Sequence, residues 1–176
     1  MAQLFVLMGV SGSGKTTVGQ ALAARLDCPF YDGDDFHPPE NVAKMASGTP
    51  LNDADRAPWL ARLAELLEKH GERGEKAVLA CSALKQKYRE KLRVSQQVQF
   101  VYLAGSFDLI WQRMAERTNH YMKADMLRSQ FAALEPPKVD EAIYVSIDQD
   151  VDEIVDQILK AADEAKSSGA ITPPRR

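Results

Sequence analysis

The sequence predicts an α/β fold in which short strands alternate with helices in one parallel sheet. Three observations carry this expectation. Five brief apolar runs rich in Val, Leu, Ile, Phe and Tyr recur along the chain, each short and branched enough for a buried strand. Between them lie longer segments with apolar residues every third or fourth position, the spacing of an amphipathic helix. No hairpin turn joins two consecutive runs, so neighbouring strands are linked by crossovers and run parallel.

The first strand is Leu4-Phe5-Val6-Leu7-Met8, closed by Gly9. Gly9-Val10-Ser11-Gly12-Ser13-Gly14-Lys15-Thr16 follows and fits G-x-x-x-x-G-K-[ST] at every fixed position. From Thr17 to Leu26 the apolar residues Val18, Leu22 and Leu26 repeat every fourth position, as in a helix. Cys28 to Asp32 reads as the second strand and Asp32 to Pro39 as a Pro- and Gly-marked loop. One or two helical turns fit Glu40 to Ser47, stopped by Gly48-Thr49-Pro50. Asn52 or Asp53 caps a helix from Ala54 towards His70 with a stripe of Trp59, Leu60, Leu63, Leu66 and Leu67. Ala77 to Cys81 is the third strand, Leu84 to Arg93 a basic helix, and Val98 to Leu103 the fourth strand. Ser106 or Asp108 caps a helix that runs through Ile110, Trp111, Met114 and Arg117. Thr118 to Lys123 is irregular, Asp125 to Leu134 helical, and Ala142 to Ile147 the fifth strand. Val151 to Ala165 closes the domain as an amphipathic helix, so one domain is expected over residues 1–166, with 167–176 a frayed tail.

A strand before the glycine-rich octapeptide and a helix after it are the context a phosphate-binding loop needs. Glycines let successive main-chain N–H groups converge on one anion, and the helix N-terminus adds unpaired donors. Lys15 can reach the β- and γ-phosphates of a nucleotide, and the Thr16 hydroxyl can ligate Mg2+. In parallel sheets ligands sit beyond the carboxyl ends of the strands. The candidate site is therefore Gly9–Thr16, Asp32–His37, Ser82–Arg89 and the segments after the fourth and fifth strands.

Two carboxylates follow the second strand. Asp32 is assigned to water on the metal and Asp34 to the acceptor hydroxyl as base, although the pair can be exchanged. Both also suit a turn. Arg56 and Arg89 are equally readable as carboxylate ligands or as solvated helix charges. Arg113 and Arg117 share a helix face that leads towards His120. They are either a solvated basic face or cations for a transferring phosphoryl group. His37 and His120 are candidate ligand contacts, and neither has a partner at metal spacing, which excludes a zinc site. Trp59, Trp111 and Phe131 suit the core better than base stacking.

The chain has 176 residues, 2 cysteines and a net charge of −3. That charge argues against a polyanion such as nucleic acid as the main partner. No apolar stretch approaches the roughly 20 residues of a membrane span. The first strand begins without a basic or cleavable leader, so a cytoplasmic protein is expected. Cys28 and Cys81 flank strands without metal spacing and read as core thiols.

From Leu4 to about Leu159 the chain resembles the small gluconate kinases of the P-loop kinase superfamily. The segments that carry the resemblance are GVSGSGKTTVG at Gly9–Gly19, YDGDDFHPPENVAKMASGTPLNDADRAPWL at Tyr31–Leu60, CSALKQKYR at Cys81–Arg89, HYMKADMLRSQFAALEPP at His120–Pro137 and SIDQD at Ser146–Asp150. The resemblance implies phosphorylation of D-gluconate at its 6-hydroxyl by ATP, giving 6-phosphogluconate and ADP. It implies a three-layer fold with a five-stranded parallel sheet ordered 2-3-1-4-5, a substrate segment at about 37–60, a lid at about 117–135, and a homodimer. By relation to shikimate kinase, Asp34 and Arg56 look like substrate ligands and Arg117 like the lid arginine. On this reading Gly9 to Thr17, with Arg113 and Arg117, hold the nucleotide. His37, Arg56, Ser82, Arg89 and His120 join Asp34 around gluconate. Asn119 stands where the family often has glycine, and asparagine tolerates a left-handed backbone. Another small-metabolite kinase such as shikimate kinase, or a nucleotide-binding regulatory module, is the alternative.

Overall fold

The computed structural model describes residues 2–116 and 123–168. Its strands are β1 Leu4–Met8, β2 Phe30–Asp32, β3 Ala77–Ala80, β4 Val98–Ala104 and β5 Ala142–Ser146. They form one sheet in the order β2-β3-β1-β4-β5, the order expected. Every pairing is parallel, with Val6 opposite Leu79 on one side and Phe100 on the other.

The helices are α1 Lys15–Leu26, α2 Pro39–Ala46, α3 Asp53–Glu72, α4 Gln86–Leu92, α5 Phe107–Glu116, α6 Lys123–Ala133 and α7 Val151–Ser167. They cover both faces of the sheet. Side chains alternate along a strand, so Phe5, Leu7, Val101 and Leu103 meet Val18 and Leu22 of α1 and Ile154, Val155 and Ile158 of α7. Leu4, Val6, Met8, Leu79 and Phe100 face the other way, onto Trp59, Leu60, Leu63 and Leu67 of α3 and Leu92 of α4. With both faces covered, the whole of β1 is buried, which is why it reads as a continuous apolar run.

Several boundaries differ from expectation. Helix α1 begins at Lys15 rather than Thr17, because Gly14, at φ 94°, turns the chain straight into it. Strand β2 begins at Phe30 rather than Cys28; it is an edge strand, and Pro29 contributes only its carbonyl, to Val78 N–H. The loop after it contains a 3-10 turn, Gly33–Phe36, which the Asp32 side chain caps by accepting from Asp34 N–H. Asn52 caps α3 through a reciprocal box: Asn52 Oδ1 accepts from Asp55 N–H at 2.8 Å and Asp55 Oδ2 from Asn52 N–H at 2.9 Å. Ser106 is the residue that serves α5, accepting from Leu109 N–H. Helix α7 continues to Ser167, where the tail was expected to begin. Residues 169–176 lie outside the described residues, as do 117–122 of the expected lid. Among the described residues no helix is long and apolar enough to cross a membrane.

Candidate active site

The carboxyl ends of β1, β2 and β3 meet at one rim. Cys81 N–H donates to Leu7 O at 3.0 Å and Gly9 N–H to Ser82 O at 3.2 Å, so the exit of β3 is tied to the start of the glycine-rich loop. Within the loop Gly9, Gly12 and Gly14 all have positive φ. At Gly12 (φ +80°) an added Cβ would lie 2.7 Å from Met114 of α5, so the turn needs glycine for both backbone and space.

Lys15 folds back over this loop, its Nζ donating to Gly9 O at 2.9 Å and Val10 O at 3.0 Å. Enclosure of the ammonium pushes its pKa below the usual lysine range, and the nearby Cys81, Asp34 and Asp32 oppose that shift. The Ser13 hydroxyl is buried without a hydrogen-bond partner. Three left-handed glycines, an orphaned hydroxyl and an enclosed cation together fit a polyphosphate.

The acidic turn faces the same place. Asp34 is exposed, yet crowded enough that partial burial, and then the charge of Asp32, raise its pKa; His37 and Lys15 oppose the shift. The charges of Asp34 and Lys15 therefore act on each other across the rim. Thr16 and Asp32 both line an open cleft of about 440 Å³. Among the described residues no group of three or more His, Cys, Asp or Glu forms a metal cage. One hydroxyl and one carboxylate would suit Mg2+, a hard cation that takes few protein oxygens beside a nucleotide.

His37 stacks on Trp59, with centroids 4.4 Å apart and planes at 14°. Trp59 Nε1 donates to Gly33 O at 2.7 Å, which pins the 3-10 turn. Asn41 Nδ2 lies 3.2 Å from His37 Nδ1, so Nδ1 accepts and the neutral ring carries its proton on Nε2. Partial burial lowers the His37 pKa; Asp34 opposes this and Arg56 adds to it. Arg56 lies half-buried over the Tyr88 ring, 5.5 Å from its centroid, with Nη1 3.2 Å from Tyr88 Oη. Tyr88 in turn donates to Asp53 at 2.6 Å. Hydrogen bonds from Lys87 and then Tyr88 hold the Asp53 carboxyl at about 2.

Arg89 departs from its expected place among the substrate ligands. It is 4% exposed and spends its guanidinium on main chain: Nη1 donates to Ala83 O and Nη2 to Glu135 O, both at 2.8 Å. It clasps the β3–α4 loop to the end of α6. Arg113 reaches the end of β5, donating to Ile147 O at 2.6 Å. Ser82 sits half-buried at the rim, Thr16 and Thr17 are exposed on the first turn of α1, and Arg117 and His120 lie outside the described residues. Burial pushes the Cys81 thiol up to about 12, which makes it a core thiol and no nucleophile. Sequence reasoning passed over Tyr88 and Gln130, whose side chains reach the site only through tertiary contacts, and Asn41, which meets His37 four residues before it.

Comparison with known proteins gives a consistent picture. A family profile for shikimate kinase matches residues 11–163. The chain is 44% identical to a probable gluconokinase of Xenopus tropicalis, covering 88% of this chain and 90% of that one. It is 45% identical to the thermosensitive gluconokinase of Escherichia coli K12, covering 89% and 86%. Its structure is similar to that of a gluconokinase from Sinorhizobium meliloti 1021, with a TM-score of 0.84 and 43% identity over 94% of each chain. Shikimate kinase from Acinetobacter baumannii shares the fold at a TM-score of 0.58 and 23% identity, covering 94% of this chain and 96% of that one.

Proposed function

The chain belongs to the gluconokinase family of P-loop kinases, and from that premise we propose that it transfers the terminal phosphoryl group of ATP to the 6-hydroxyl of D-gluconate. The products are 6-phospho-D-gluconate and ADP. The observation that carries this reading is the loop itself: three glycines at positive φ, an unpartnered Ser13 hydroxyl, and the Lys15 ammonium held over Gly9 O and Val10 O.

Phosphoryl transfer asks mainly for alignment and charge neutralisation. The loop from Gly9 to Thr17 wraps the phosphates, which are held by those of its main-chain amides not already bonded to Ser82 O, Gln130 Oε1 or Val10 O, and Arg113 braces the nucleotide at the end of β5. Lys15 moves from the loop carbonyls to the β- and γ-phosphate oxygens. Mg2+, when bound by Thr16 and by water on Asp32, spreads the negative charge of the phosphates. Asp34 orients the 6-hydroxyl and takes its proton late, as the bond to phosphorus forms. His37 offers its Nε2–H to a substrate hydroxyl, Arg56 pairs with the gluconate carboxylate, and Ser82 hydrogen-bonds the polyol chain. Arg117 and His120 complete the charge and substrate contacts from the lid. We leave Arg89 out of this set, because its guanidinium is bonded to Ala83 O and Glu135 O. A homodimer and a cytoplasmic location complete the proposal; sedimentation of the pure protein at twice the monomer mass tests the first.

A coupled assay across gluconate, shikimate, nucleoside monophosphates and other sugar acids tests the activity. Gluconate should exceed every other acceptor by at least ~100-fold in kcat/KM, because a site built for polar partners rejects acceptors that leave those partners unpaired. Preference for shikimate, or ATP binding with no acceptor phosphorylated, would remove the assignment.

Arg56→Ala should raise the gluconate KM by roughly 10- to 100-fold, the range of a lost charge-assisted hydrogen bond, with a smaller change in kcat. Arg56→Lys should recover little, since an ammonium cannot reproduce the fork. Unchanged gluconate saturation in Arg56→Ala would move the carboxylate elsewhere.

A further inference from the structure

Ser11, third residue of the phosphate loop, makes a contact that the reaction scheme leaves unused. Gln130, from the middle of α6, meets it twice. Gln130 Oε1 accepts from Ser11 N–H at 2.6 Å, and Gln130 Nε2 donates to Ser11 Oγ at 2.9 Å. The two residues are 119 positions apart in sequence, so nothing local requires the pairing.

The peptide between Val10 and Ser11 is a rigid plane whose N–H and C=O point in opposite directions. With Ser11 N–H held by Gln130, the Val10 carbonyl is turned to the other side of the loop. There it accepts from Lys15 Nζ at 3.0 Å and from Ser13 N–H at 3.2 Å. One side chain of α6 thus sets the direction of the carbonyl that parks the ammonium and closes the first turn of the cradle. The opposite flank is fixed as well, because Gly12 packs against Met114 and Ile110 of α5. The loop is wedged between two helices, and Gln130 is the polar half of the wedge.

We propose that Gln130 is a positioning residue for the kinase reaction, acting through the Val10–Ser11 peptide to aim Lys15 and the loop amides at the nucleotide phosphates. This rests on reading the loop as the ATP site. Gln130 itself touches neither reactant; its effect reaches them through Ser11 and Val10.

The variant that tests it is Gln130→Met, close in length and lacking both hydrogen bonds. MgADP affinity, measured by titration calorimetry without gluconate, should weaken about tenfold, the scale of one to two lost hydrogen bonds. The KM for ATP should rise in step, while the KM for gluconate stays within about twofold. Gln130→Glu keeps an acceptor for Ser11 N–H and should retain the slow hydrogen exchange expected of that amide in the wild type, whereas Gln130→Met should lose it. MgADP binding at wild-type strength in a folded Gln130→Met protein would overturn the inference. So would an equal rise in both KM values with a lower melting temperature, the sign of a merely structural role. Should Gln130→Met not fold, wild-type hydrogen exchange still decides: a Ser11 amide exchanging at the unprotected rate refutes the clamp. A wild type that binds MgADP but phosphorylates no gluconate would defeat the proposed function and leave this inference standing.

Discussion

Lys15→Ala is expected to lower kcat by on the order of 10³, about 4 kcal/mol of transition-state stabilisation, in a protein that still folds. The lysine sits over the loop on Gly9 O and Val10 O, where enclosure of its ammonium lowers its pKa. A desolvated cation beside a transferring phosphoryl group interacts far more strongly than one in bulk water. Its loss leaves that charge unmatched and removes a cation that opposes the raised pKa of Asp34. The buried apolar residues of β1 and α1 do not depend on it. Single-turnover kinetics with a thermal melt therefore separate the two effects. Near-normal turnover in a folded variant would take the chemistry away from this loop. Lys15→Arg should fare no better, because a broad guanidinium does not fit where a compact ammonium bridges two carbonyls.

What the sequence made legible was what depends on neighbours in the chain. Strand β1 is buried on both faces and therefore apolar throughout. The phosphate loop declares itself because its geometry needs glycines at set positions. The address of Asp34, two residues beyond the end of an expected strand, was legible. Most of the rest depends on partners far along the chain. Arg56 and Arg89 look alike as letters. Burial separates them, for one lies half-buried over Tyr88 and the other is spent on Ala83 O and Glu135 O. The 3-10 turn at Gly33–Phe36 needs Trp59 from α3 to hold Gly33 O, a contact across 26 residues. The neutral state of His37 follows from Asn41 and from partial burial against Trp59. Gln130 carries no chemical signal of its own, and only its distance to Ser11 reveals it.

Asp34→Asn should separate activity from stability in opposite directions. As the proposed base and orienting group, Asp34 is expected to contribute about 10²- to 10⁴-fold to kcat, with ATP binding close to wild type. Its stability effect follows from linkage. Partial burial and then the Asp32 charge raise the Asp34 carboxyl in the folded protein above the ordinary 3.8. The folded state therefore holds the proton more tightly than the unfolded chain does. Below 3.8 both states are protonated and the site costs nothing. As pH rises through the folded value the native carboxylate ionises in an unfavourable place, and stability is lost and stays lost at neutral pH. An amide carries no such charge, so Asp34→Asn should melt higher than wild type at pH 7 to 8, and the gap should close as pH falls towards 3.8. The wild-type kcat/KM profile should show an acid limb above the ordinary aspartate value, since the active form is the carboxylate. Turnover within tenfold of wild type would unseat Asp34 as the base. A lower melting temperature at pH 7 to 8 would show that the Lys15 charge outweighs burial at this turn, so that the carboxylate stabilises the fold it was expected to strain.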